Sequence, residues 1–331
     1  MKNKKTWFKI LFVIVLILII LYTFRDSADE IVAQLRQTSL KILFMIALSS
    51  VIYHLFEGWI LYSLARRFSK QIKYREAVYC AFNCSFYRLS TLGSAPAVAA
   101  VVYLGKKGVG YSEATGLYTV TYMLHKVSIA LLSAICFLVN WRVMSTHYRS
   151  YAVYLILAYI LTALISVGLV LFCVSTKFHQ LLLWLGKKVN RSHKLDGLLA
   201  KLEASGKIME ESTSAVFKDV KLVISIIIRN ILKFGFWYCI PFLIMVGTGE
   251  LSLLNSLSVT SLSVMTAAVI PTPAGIGSTE LIMSGLLSVF VDVHKAAAIT
   301  LLYRVATFIF PFCVGGVLLV LGRIVKHFRW K

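Results

Sequence analysis

Seven ionisable side chains stand inside strongly apolar stretches of this 331-residue chain: Glu57, Arg88, Lys126, Arg229, Lys233, Glu280 and Arg304. Each would cost roughly 2.5–3.5 kcal/mol at a lipid-facing helix centre. Together they would cost roughly 20 kcal/mol, more than the whole net stability of a typical domain. Such groups must face a polar interior, a wet cavity or a membrane interface. Five of the seven are cations, so a cavity they line suits an anion. Arg presents paired donors to a phosphate and Lys a point charge. The phosphate of a lipid head group is the obvious anion of a membrane.

Arg88, Lys126 (with His125 beside it) and Arg304 are the first candidates to hold that phosphate. Glu280 is a fourth; it opens a helix, where the macrodipole favours an acid, so capping and a substrate contact both remain open. Arg229 and Lys233 lie one turn apart on one face, early in their apolar stretch. Snorkelling to the interface competes there with an interior role. His54 and Glu57 also share a face and suit either a buried ion pair with a cation or proton coupling. No Ser-His-Asp set, zinc signature or phosphate loop occurs in the sequence. The expectation is therefore no catalytic residue, no metal and no cofactor. Cys80, Cys84, Cys136, Cys173, Cys239 and Cys313 all fall in or beside apolar segments and read as small buried apolar residues.

Two apolar regions, 77–104 and 251–291, are interrupted by Gly and Pro. The first break reads Arg88-Leu-Ser-Thr-Leu-Gly93-Ser94-Ala-Pro96-Ala, and the second Pro271-Thr-Pro273-Ala-Gly275-Ile-Gly277-Ser278-Thr-Glu280. Gly93, Gly275 and Gly277 permit backbone that other residues avoid. Pro96, Pro271 and Pro273 free backbone groups that must be satisfied inside protein or water. These six positions are the candidate hinges. Gly275-Ile-Gly277 is not a dinucleotide fingerprint, because no strand precedes it and no third Gly follows at the required spacing.

The elements that position these residues are membrane spans. The chain is 59% hydrophobic and only 15% charged, with a mean hydropathy of +0.80. Six stretches meet the roughly 20-residue requirement of a spanning helix: 7–24, 42–64, 114–139, 151–174, 222–246 and 296–321. The first, after Lys2, Lys4 and Lys5, is longer than a signal-peptide core and has no small-residue cleavage site. It reads as an uncleaved span. If both interrupted regions are hairpins that enter and leave by one face, 24 of the 35 Lys and Arg residues fall on the N-terminal side and 6 on the other. That partition obeys the positive-inside rule and places both termini in the cytoplasm. The basic excess, +21 overall, then serves topology and contact with anionic lipid rather than nucleic acid. Each hairpin is followed by a span with an embedded cation, Lys126 or Arg304. The two hairpins enter from opposite faces, so the halves form an inverted repeat, an arrangement common in transporters. The segment 176–221 is a mixed-charge amphipathic cytoplasmic loop within one transmembrane domain spanning 1–331. At roughly 45 residues it is too short for a conventional enzyme domain.

The stretch 271–280 and the short apolar helix after it resemble the signature of the lysylphosphatidylglycerol synthase transmembrane-region family. That family includes the membrane half of the multiple peptide resistance factor. Residues 88–97, 114–126 and 296–311 also resemble it, and the likeness covers nearly the whole chain. The family pattern usually has two glycines after the second proline, and Ala274 stands in the first of those places. The resemblance implies a membrane domain that moves aminoacylated or related phospholipids between leaflets. It also implies a tRNA-dependent synthase domain in full-length members. No residue follows Lys331 to supply such a domain in this chain, so the expected function is the translocating half.

The resulting expectation is an all-α integral membrane protein of six full spans and two opposed re-entrant helical hairpins. It acts as a flippase-like translocase in the cell membrane. Its partners are anionic or aminoacylated phospholipids and the membrane itself, with a homo-oligomer or a separate synthase protein as further partners. Two alternatives stand beside it: a phosphatidylglycerol lysyltransferase, as the family name suggests, and a transporter of a small soluble anion.

Overall fold

The computed structural model describes residues 33, 36, 38–190, 196, 197, 200, 203, 213, 214, 216–270 and 272–328. All regular structure among them is helical. Five helical stretches are long and apolar enough to cross a membrane: Leu40–Ala65, Tyr111–Val139, Arg149–Gly168, Val220–Ile244 and Val293–Gly322. They coincide with five of the six expected spans. The sixth, 7–24, lies outside the described residues, as does Pro271. Much of the loop 191–215 also lies outside them.

Two units of the same plan make up the bundle. The first runs α1 (Leu40–Ala65), a hairpin of α2 (Tyr74–Ser90) and α3 (Pro96–Gly105), then α4 (Tyr111–Val139). A short α5 (Trp141–His147) leads to α6 (Ala152–Val174) and the amphipathic α7 (Thr176–Val189). The second unit runs α8 (Val220–Tyr238) and α9 (Ile240–Ile244), a hairpin of α10 (Leu253–Ala267) and α11 (Ser278–Leu287), then α12 (Val293–Arg304) and α13 (Phe310–Phe328). In both units the two hairpin arms pack on each other. The first arm of each also packs against the closing span of the other unit: α2 on α13, and α10 on α4. Glycines make the close approach of α2 possible, to α1 on one side and to α13 on the other. A β-carbon on Gly58 of α1 would sit 2.5 Å from Val78 of α2, and one on Gly315 of α13 would collide with the Phe82 carbonyl. Small residues at contacts are how helices approach closely where burial in lipid gives no advantage.

Contacts between loops show which end each hairpin opens to. Ser69 Oγ donates to the Lys107 carbonyl at 3.1 Å, Lys107 pairs with Glu76 at 2.6 Å, and Arg67 pairs with Asp219. The first hairpin, the end of α1 and the start of α8 therefore share one end. There Asp219 caps α8; the Leu222 N–H, and after it Arg67, hold its carboxyl below the usual carboxylate range. At the other end Asn140 donates to Asn255 at 2.8 Å, Lys295 pairs with Glu250 at 2.8 Å, and Tyr148 donates to the Leu286 carbonyl at 2.6 Å. The second hairpin opens there. The hairpins thus enter from opposite ends and meet in the middle.

The expected span 222–246 is not one continuous helix. Pro241 has no N–H and interrupts it after Tyr238. Ser256 of α10 is inserted at the bend: its hydroxyl donates to the Tyr238 carbonyl at 2.8 Å and accepts from the Phe242 N–H at 3.1 Å. The side chain has taken the place of a rung of the helix ladder, a recognised cause of a kink. Replacing Ser256 with Ala leaves both backbone groups unpaired and should lower stability by about 1–3 kcal/mol. Ser263→Ala, which removes only a bond back to Val259 in its own helix, should cost under about 1 kcal/mol. Denaturant unfolding of the two variants in detergent checks the contrast; equal losses would contradict the role assigned to Ser256.

Candidate functional site

The hairpin tips are built from the same backbone device. In the first break Leu92 and Gly93 adopt φ of 51° and 89°; in the second Ala274 and Gly275 adopt 55° and 74°. A leucine and an alanine in left-handed backbone carry strain of about 1 kcal/mol or more each. The tips touch: a β-carbon on Gly93 would meet the Ala274 nitrogen at 3.3 Å. Leu92, Ala274 and Ile276 pack there with Leu89, Phe308 and Phe312.

The opened backbone is satisfied locally. Gly93 N–H donates to the Arg88 carbonyl at 2.7 Å, and Thr91 Oγ1 donates to Tyr87 while accepting from the Ala95 N–H at 3.0 Å. In the second break Thr272 and Ser278 hydroxyls bond at 2.6 Å, and Glu280 accepts from the Gly277 N–H at 2.7 Å. Such pairing is what allows broken helices at membrane depth.

Beside the touching tips lies a half-open cavity of about 610 Å³. Arg88, Lys126 and Arg304, from α2, α4 and α12, all line it. So do four of the expected hinges, Gly93, Pro96, Pro273 and Gly275, and one secondary candidate, Glu57. Glu280 and Gly277 sit behind the second tip rather than on the wall. His54 lies deeper, between Ser50 O and Ser85 Oγ at 2.8 Å each, stacked on Phe82. Arg229 is on the outer surface, over the Trp59 ring and bonded to Ser63 at 2.6 Å.

Lys233 departs from the snorkelling expectation. It is fully buried and donates to Glu57 at 2.5 Å, to Asn230 Oδ1 at 2.6 Å, and faces His125 Nδ1 at 3.3 Å. Its place in the first half of the expected span 222–246 left the interface open, but partners on α1 and α4 hold it inside. Arg304 donates through Nε to Glu280 at 2.6 Å, and its guanidinium lies 4.3 Å from the Phe308 ring centre. The turn after it, Val305–Ile309, is a π-helix. Pro311 removes a ladder donor just beyond, and such bulges often mark functional sites.

The charge and hydrogen-bond balance around the cavity is one-sided. Arg88 and Lys126 have no hydrogen bond or ion pair among the described residues; Lys126 rests 5.4 Å over the Tyr122 ring. Three buried polar atoms of wall residues are also unpartnered: Arg304 Nη2, Trp237 Nε1 and the Tyr238 hydroxyl. Sequence reading missed Trp237 and Tyr238, one turn beyond Lys233, because aromatic residues in an apolar helix carry no pattern that distinguishes a cavity wall from core. Two cations outside any ion pair among the described residues, with further donors beside them, can hold an anion carrying several acceptor oxygens.

An all-helical bundle of two related units around an anion-suited cavity defines a multi-pass membrane protein. The chain belongs to the family described as the lysylphosphatidylglycerol synthase TM region, whose model matches residues 7–315. Membership ties it to the metabolism or transport of lysylphosphatidylglycerol. No curated protein matches the chain.

The Glu57–Lys233 pair gives a direct test of the wall. Glu57→Gln leaves a fully buried ammonium without its counter-charge and should cost about 3–5 kcal/mol. Adding Lys233→Met should restore most of that loss. Thermal unfolding of the single and double variants measures it; a double variant no better than the single would contradict the pairing.

Proposed function

We propose that this chain moves a phospholipid between membrane leaflets by accommodating its head group in the cavity between the hairpin tips. The supporting observation is the convergence of Arg88, Lys126 and Arg304 on that cavity from three separate elements. The phosphate is held by Arg88 and Lys126, which have no hydrogen bond or ion pair among the described residues, and by the free Nη2 of Arg304. The acyl chains stay in lipid, for which a half-open, aromatic-lined cavity is suited; a small soluble anion would call for an enclosed one. The strained tips, in contact at Gly93 and Ala274, are the parts that separate as the head group passes. The hairpins are re-entrant, opening to opposite faces. The end bearing Arg67, Lys107 and Asp219 is cytoplasmic in the cell membrane, in keeping with the positive-inside rule.

Exchange of headgroup-labelled phospholipids between leaflets of reconstituted vesicles tests this. Arg88→Gln and Lys126→Gln should keep thermal stability and reduce exchange by about tenfold or more. Arg304 has a second duty, because its loss strands Glu280. Arg304→Gln should therefore destabilise, and Arg304→Gln with Glu280→Gln should regain stability without regaining exchange. A double variant that recovers both would remove Arg304 from the phosphate site. Unchanged exchange in all three cation variants would overturn the proposal.

A further inference from the structure

On the outer side of α8, away from the cavity between the tips, another cation stands in an apolar setting. Arg229 leans across to α1, which packs on α8. Its guanidinium carbon lies 4.0 Å from the centre of the Trp59 ring, and Nη1 donates to Ser63 Oγ at 2.6 Å. Ser63 is in the last turn of α1, so the guanidinium is held near the end of the bundle that carries Arg67, Lys107 and Asp219. That is the depth of lipid head groups, which long cationic side chains reach by snorkelling. The acids of α1 and of the α8 cap are already engaged: Glu57 by Lys233, and Asp219 by Arg67 and the Leu222 N–H. Among the described residues Arg229 has Ser63 as its hydrogen-bond partner and no ion pair. A guanidinium carries five N–H donors, so most of them are left for another acceptor.

An open groove of about 430 Å³ surrounds Arg229. Lys221 and Ser225, two turns and one turn before Arg229 on the same face of α8, give it polar lining. Ile224, Ile228 and Leu232, each about half exposed, give it an apolar strip. We propose that this groove is a second lipid site, which holds the phosphodiester of a membrane phospholipid against Arg229 and Ser225 with an acyl chain along Ile228 and Leu232. The Trp59 face and the Ser63 hydroxyl fix the guanidinium in place, and an arginine that only reaches for water needs neither. Arg presents paired donors to phosphate, and Lys221 adds positive charge farther along the groove. The site is on the outer surface of α8, so it does not depend on the translocation reading.

The test is binding. Purified full-length chain in detergent is titrated with phosphatidylglycerol, with diacylglycerol of the same acyl chains, and with glycerol 3-phosphate, read by native mass spectrometry. The titrations are repeated in an Arg88→Gln/Lys126→Gln background, so that the cavity and the groove are counted apart. In both backgrounds Arg229→Gln should weaken retention of one phosphatidylglycerol about tenfold. Arg229→Lys should have a smaller effect, because the charge survives and the fork is lost. Trp59→Leu removes no charge and should still weaken binding several-fold, because the guanidinium loses the ring that fixes it. All three variants should unfold at nearly the parent temperature. Phosphatidylglycerol held as tightly by Arg229→Gln as by its parent would overturn the proposal. So would diacylglycerol binding as tightly as phosphatidylglycerol, which would leave an apolar groove only, or glycerol 3-phosphate binding without the lipid. A dimer that dissociates in Arg229→Gln would assign this face to a second copy of the chain and likewise reject the lipid.

Discussion

Everything in this bundle follows from one constraint: a polar group inside an apolar helical assembly must be satisfied by protein, by water or by a ligand. Most of the polar groups described here obey it locally. Ser256 bridges the rung lost at Pro241, Thr91 closes the first break, and Glu280 closes the second while holding Arg304. Lys233, the most costly group to bury, has three polar neighbours. Against that background the cavity wall differs in kind, because there Arg88 and Lys126 have no hydrogen bond or ion pair among the described residues and Arg304 keeps Nη2 without a partner.

The two units reach that place by different side chains on the same backbone. If Leu92-Gly93 is set against Ala274-Gly275, the residues 29 and 33 positions after each glycine are Tyr122 and Lys126 in one unit, and Arg304 and Phe308 in the other. Each unit therefore places a cation and an aromatic ring one helical turn apart, in opposite order, and in both the cation lies over the ring. The swap keeps the positive charges from occupying equivalent positions. It gives the cavity an Arg fork on one wall and a Lys point charge on the other, joined by Arg88 from the first tip.

Much of the architecture was legible in the sequence because hydropathy and charge are strong, local signals. Five of the expected spans, both breaks and the convergence of Arg88, Lys126 and Arg304 follow from run lengths, Gly/Pro placement and the cost of burying charge. Pairing was less legible. Glu57 and Lys233 lie 176 positions apart, and no spacing rule connects them; from sequence, Lys233 suits the interface or the interior. The π-turn at Val305–Ile309 and the Ser256 bridge depend on how neighbouring helices press on a proline, which periodicity does not record. Ala274, where the family pattern has glycine, occupies left-handed backbone at φ 55°. The glycine preference there has a conformational origin, and this chain accepts the strain.

The most direct measurement of the account is the position of lipid phosphate in the assembled protein. Cryo-electron microscopy of the chain in nanodiscs rich in anionic phospholipid would locate it. The account predicts phosphate density between the hairpin tips, within hydrogen-bond distance of Arg88, Lys126 and Arg304 Nη2. Lipid density confined to the outer surface, with the cavity between the tips filled by ordered water alone, would contradict it.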